Sequence, residues 1–108
     1  MQYLYTADEI EKTIDLHKQA YTELLRHPAL SAGMYLLKAG DPDLQRPHSE
    51  DEVYYVLDGV ARMTVASEDF PVRRGDLIYV PAYTEHRFYD ITRDLKVLVF
   101  FSSAHIEH

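Results

Sequence analysis

The sequence predicts an all-β domain, a single small closed barrel preceded by one N-terminal α-helix. Turn signals punctuate the chain at about 8–12-residue intervals, the spacing of a sandwich or barrel. The segments between them are short and rich in β-branched and aromatic residues, and Val60 to Ala66 alternates with strand period. Only the N-terminal stretch repeats its apolar residues at helical spacing.

Taken in order, Thr6 and Glu9 form a Thr-x-x-Glu capping box. Ile10, Ile14, His17, Tyr21, Leu24 and Leu25 follow along one helical stripe, with Glu11, Lys12, Asp15, Lys18 and Glu23 mostly off it. Pro28 stops the pattern, so the helix is expected to run to Arg26 and to cover one sheet edge or face, the alternative being that it packs outside the barrel or against a second subunit. His17, on the apolar stripe, reads as a packed histidine and not a ligand. Ser31 to Lys38 is the first barrel strand, with Tyr35 and Leu37 on one face. Ala39 to Pro47, holding Gly40, Pro42 and Pro47, is an irregular loop at the barrel mouth. Glu52 to Leu57 is a strand closed by Asp58-Gly59, a hairpin signal. Ser67-Glu68-Asp69 is a turn, and Phe70 to Arg73 is a short strand carrying Pro71. Arg74-Gly75-Asp76 turns into Leu77 to Val80, which Pro81 ends. His86 opens another strand, Asp90 to Asp94 is a polar turn, and Leu95 to Phe101 is the last long strand. One domain therefore fills 1–108: a helical segment over 1–28, the barrel over 29–102 and a tail over 103–108. His105 and His108 belong to that tail and are not ligands.

Composition narrows the function. A chain of 108 residues that is 46% hydrophobic is long enough for a core. It has no cysteine, so any metal must take nitrogen and oxygen donors. A net charge of −7 disfavours nucleic acid and anionic membrane as partners. No apolar run approaches the ~20 residues that span a bilayer. With no signal peptide visible, the expected location is cytoplasmic.

The chemistry concentrates around His48 and Glu52, four residues apart where a loop enters a strand. Strand period puts Glu52, Tyr54 and Val56 on one face, where a carboxylate is out of place unless its charge is compensated. A metal would compensate it. His86 supplies a natural third member, so His48, Glu52 and His86 are expected to converge inside the sheet. Taken singly, each histidine could instead bond a backbone carbonyl at the mouth. Glu50, Asp51 and Glu85 read as solvated loop carboxylates.

These stretches resemble the paired motifs of the cupins. The first motif is Gly, five residues, His-x-His, three or four residues, Glu, six residues, Gly, and it matches at Gly40, His48, Glu52 and Gly59. The second is Gly, five residues, Pro-x-Gly, two residues, His, three residues, Asn. It matches at Gly75, Pro81 and His86, with Tyr83 where glycine is usual and Asp90 where asparagine is usual. The resemblance implies a jelly-roll barrel, a double-stranded β-helix, with a metal inside. Arg46 falls on the usual first histidine and cannot ligate. The implied ligand set is thereby His48, Glu52 and His86, to which Gln45 is added if Pro47 turns its amide inward.

Neutral imidazole and carboxylate suit Fe, Mn, Ni, Cu or Zn. Tyr35, Leu37, Tyr54, Val56, Phe88 and Phe100 or Phe101 are expected to give an aromatic, largely apolar cavity for a small organic ligand. Arg46, if inward, offers a charge to a substrate carboxylate or enolate, which makes Glu52, Tyr54 and Arg46 the catalytic candidates. The leading expectation is an Fe(II)-type dioxygenase of a small enolic or aromatic acid. Alternatives are an isomerase or epimerase of a sugar or keto acid, with Tyr or His as acid/base, and a non-catalytic ligand-binding module. The apolar helix face and aromatic strands predict a homodimer.

Overall fold

The computed structural model describes residues 1–17, 19–45 and 47–102. Arg46, the tail with His105 and His108, and the side chain of His17 lie outside the described residues. The elements are α1 (Ala7–His17), β1 (Tyr21–His27), β2 (Leu30–Leu37), β3 (Glu52–Val65), β4 (Glu68–Arg73), β5 (Leu77–Val80) and β6 (His86–Ser102). Among the described residues no helix is long and apolar enough to cross a membrane.

Helix α1 starts as its capping box requires. The Glu9 backbone N–H donates to Thr6 Oγ1 at 3.2 Å, and Asp8 and Glu9 place negative charge on the first turn. Ile14 is buried, and Lys96 Nζ on β6 pairs with Glu11 at 2.5 Å. The helix ends at His17, well short of the expected Arg26. Tyr21–His27 is instead a strand, paired antiparallel with β2 across the two-residue turn Pro28-Ala29. Tertiary pairing overrides the local period here. The Tyr21 ring lies over Gly33, where a Cβ would sit 2.2 Å from the phenol oxygen, so the absent side chain makes the seat. Thr22 is buried on the opposite side of the strand.

Two further corrections share one cause. Asp58-Gly59 is not a hairpin, and Asp90 to Asp94 is not a turn: β3 and β6 run through both as continuous, bulged strands. On β3 the buried side switches from Glu52, Tyr54 and Val56 to Gly59, Ala61 and Met63, and on β6 from His86 and Phe88 to Ile91, Leu95 and Val97. One extra residue in each strand reverses the face it presents. Gly59 (φ 109°) lies so close to β6 that a Cβ would meet the Asp94 carbonyl oxygen at 2.5 Å. The glycine marks a close backbone approach. A genuine hairpin turn falls at Ala66-Ser67, one residue before the expected Ser67-Glu68-Asp69.

The bends divide the sheet into two layers that share β3 and β6. One layer is β1-β2-β6-β3-β5, from the C-terminal part of β6 and the N-terminal part of β3; the other is β6-β3-β4, from their remaining parts. Tyr54, Val56, Val97 and Val99 from the first layer meet Met63, Val72, Phe88 and Ile91 from the second in one core. The Tyr54 and Phe88 rings touch edge to face at 5.4 Å. This is the jelly-roll barrel the sequence predicts, and β3 and β6 both carry site residues at its mouth.

Candidate metal centre

Glu52 is the first residue of β3 and His86 the first of β6, while His48 comes from the loop before β3. Two backbone straps hold the loops together. The Tyr83 N–H donates to the His48 carbonyl oxygen at 2.7 Å, and the Ala82 N–H to Asp51 Oδ1 at 2.8 Å. Asp51 is thus a tether and not merely a solvated carboxylate. Tyr83 adopts φ 59°, the left-handed conformation natural to the glycine it replaces.

The three expected residues come together. Glu52 Oε1 lies 2.6 Å from His48 Nε2 and 3.3 Å from His86 Nε2. The two imidazoles sit edge to face at 5.2 Å. One donor atom from each residue falls within 4.8 Å of the others, the span of ligands around one ion with bonds of about 2.0–2.3 Å.

Hydrogen bonding fixes which atoms face inward. His86 Nδ1 is 2.8 Å from the Thr84 carbonyl, which can only accept, so Nδ1 carries the proton. In the neutral ring Nε2 then presents a lone pair to the site. Gln45 Nε2 donates to Asp43 Oδ2 at 2.8 Å, and Tyr54 donates to Gln45 Oε1 at 2.8 Å. Gln45 Oε1 consequently stands 3.3 Å from His86 Nε2. A carboxylate, an amide oxygen and an imidazole lone pair all converge as acceptors. Glu52 is 1% exposed, and neither of its oxygens has a partner of hydrogen-bond geometry, although His48 Nε2 at 2.6 Å and His86 Nε2 at 3.3 Å stand within ion-pair reach of Oε1. A buried carboxylate left so is costly by several kcal/mol unless a cation or proton joins it. A proton can lodge on His86: burial opposes its charged form, but the Glu52 carboxylate and Thr84 carbonyl outweigh that and raise its pKa. A divalent metal fits the same acceptors without a proton.

The surroundings differ from expectation in one respect. Tyr54, Val56 and Phe88 are fully buried and Leu37 is buried, so the inward side chains fill the narrow barrel as packed floor. Phe101, the inward member of its pair, packs edge-on against His48 at 5.5 Å. A cavity of about 430 Å³ that His86 lines is bounded by Gln45, Pro47, Thr64, Ala66, Glu85 and Arg87, a mixed lining with charged groups and no Tyr or Phe. Tyr54 has no route to solvent, and burial with the nearby Glu52 carboxylate drives its pKa far up. Asp43, unsuspected from sequence, is 8% exposed and anchors Gln45. Its only sequence signal is an acidic residue inside a Gly- and Pro-rich loop.

Residues 33–101 match the family model described as a cupin domain. An uncharacterized protein of Streptomyces coelicolor is 45% identical over 98 residues, covering 91% of this chain and 93% of its own. Among solved structures, an RmlC-like cupin from Shewanella frigidimarina superposes with TM-score 0.71 at 21% identity, over 80% of this chain and 77% of that one. KdgF from a Halomonas species gives TM-score 0.69 at 21% identity, over 80% and 87%. At such identities these structures speak for the fold.

Proposed function

Because this chain belongs to the cupin family, we propose that it is a metal-dependent enzyme in which His48, Glu52 and His86 hold one divalent transition metal. The observation that carries this reading is Glu52, buried with no hydrogen bond to either oxygen and with one donor atom each of His48 and His86 gathered around it within 4.8 Å. When bound, the metal supplies a Lewis-acidic centre with positions open to a small ligand and, for Fe(II), to O2. Isomerisation is the second reading. An isomerase needs a proton shuttle with a pKa near neutrality. Tyr54 donates a hydrogen bond to Gln45 Oε1, and burial with the Glu52 carboxylate nearby holds its proton, so it is neither base nor acid near pH 7. That leaves the imidazoles for the role, His86 with a pKa that Glu52 and Thr84 raise against burial. Arg87 on the cavity wall offers the positive charge that Arg46, if turned inward, is expected to supply. A small enolic or aromatic carboxylic acid suits this lining, with O2 as oxidant and both its atoms entering the acid.

Anaerobic Fe(II) reconstitution followed by oxygen-uptake screening of catechols, diketones and keto acids tests the reading. Uptake with one class, lost in Glu52→Ala, is expected. Uptake equal in the variant, or absent with every class, would reject the dioxygenase.

A further inference from the structure

We propose that Asp43 is a positioning residue that fixes Gln45 as a fourth donor to the metal, making the site two imidazoles, one carboxylate and one amide. This rests on the metal reading above and goes beyond its three ligands. Asp43 lies in the loop between β2 and β3, and both its oxygens are engaged. Oδ1 accepts from the Tyr35 hydroxyl at 2.7 Å and the Gln45 backbone N–H at 3.2 Å. Oδ2 accepts from Gln45 Nε2 at 2.8 Å and the Phe88 N–H at 2.8 Å. Tyr35 is on β2 and Phe88 on β6, so the buried carboxylate pins the loop to two strands.

That arrangement decides which end of the amide faces inward. An ionised carboxylate only accepts, so it can meet Gln45 only at its NH2 end. The carbonyl end must then point to the centre. Tyr54 uses one lone pair of Oε1, and the other is left beside His86 Nε2, 3.3 Å away. With asparagine at position 43 an NH2 group can meet Gln45, and the amide is free to flip. Its own NH2 would then enter the site, where it repels a cation. Outer residues that orient a ligand typically contribute about 10–100-fold to metal affinity.

The test uses metal-stripped protein titrated with Co(II) alone, read by calorimetry and by visible absorption, which intensifies as coordination number falls. Wild type is expected to bind one ion. No binding would reject the metal reading itself, and this inference with it. Asp43→Asn and Gln45→Leu should each weaken binding at least about 10-fold and intensify the spectrum. In the Gln45→Leu background, Asp43→Asn should have no further effect on affinity, because its effect passes through the amide. Binding and spectra unchanged in both single variants would overturn the proposal. An Asp43→Asn loss of equal factor in the Gln45→Leu background would overturn it too, exposing a merely structural role. If Asp43→Asn does not fold, Tyr35→Phe replaces it in the same cycle with the same criteria, expected to give a smaller loss.

Discussion

At the scale of single residues, the site is a balance of charges that proton and metal settle in opposite directions. His86 in the metal-free protein has a raised pKa, through Glu52 and Thr84 acting against burial. Its contribution to metal-free stability is therefore fully present below the unfolded imidazole value, about 6.5, and is lost as pH rises through the folded value. Metal binding runs the other way, since the ion must displace that proton. The melting-temperature gap between metal-loaded and metal-free protein should shrink as pH falls from about 8 to 6. A gap constant across that range in thermal scans would contradict the assignment of His86. Glu52→Gln should remove the metal-induced stabilisation, yet at pH 8 without metal it should raise stability by about 1–3 kcal/mol, by removing a buried unpaired charge. Urea unfolding of both metal-free proteins checks the sign. The convergence of His48, Glu52 and His86 was legible in the sequence because strand period turns Glu52 inward beside His48, and the resemblance of both stretches to the paired cupin motifs implies that His86 joins them. Asp43 and Asp51 were not, because their partners depend on how two irregular loops fold against each other.

At the scale of elements, what misled was the turn chemistry and the helical period. Asp58-Gly59 looks like a hairpin because glycine permits positive φ in both a turn and a bulge; the difference lies in what approaches the Cα. Gly59→Ala should destabilise by at least about 2 kcal/mol, since its methyl would meet the Asp94 and Leu95 backbone at under 3 Å. Ala66, by contrast, holds φ 54° in the first position of a two-residue hairpin where glycine is the natural choice. Ala66→Gly should stabilise by about 0.5–1 kcal/mol. Denaturant midpoints of the two variants should move in opposite directions, and a shift of Ala66→Gly to lower denaturant would refute the strain. The Tyr21 to His27 stretch read as helix since Tyr21, Leu24 and Leu25 continue the stripe of Ile10 and Ile14. Pairing with β2 makes it a strand, and the seat that Gly33 offers to Tyr21 is part of that pairing.

At the scale of the whole molecule, the small β-barrel with one N-terminal helix follows from strand spacing and the two motifs, and the structure has it; the order of its strands, with β1 on one edge, does not. The partner expected from the sequence is a second copy, and we propose that it would dock at the one sheet edge that lacks protection. β1 carries Glu23 and Arg26, and β4 carries Pro71 among charges, both protections against pairing. β5, Leu77-Ile78-Tyr79-Val80, has neither, and among the described residues it pairs only with β3. Leu77, Tyr79 and the neighbouring Tyr55 are exposed on one face. A homodimer across β5 is expected in sedimentation at micromolar concentration, reverting to monomer in Leu77→Lys; a monomeric wild type would exclude it. Beneath all of this lies the claim that the buried acceptor cluster is built for a cation. Thermal unfolding of metal-stripped protein with and without Zn(II) tests it most directly. Free metal at 100 times its dissociation constant should stabilise the wild type by about 2.7 kcal/mol, a melting shift on the order of 10 °C, and leave a His48→Ala, His86→Ala double variant nearly unmoved. Equal shifts in the two proteins, or none in either, would contradict a metal centre at His48, Glu52 and His86.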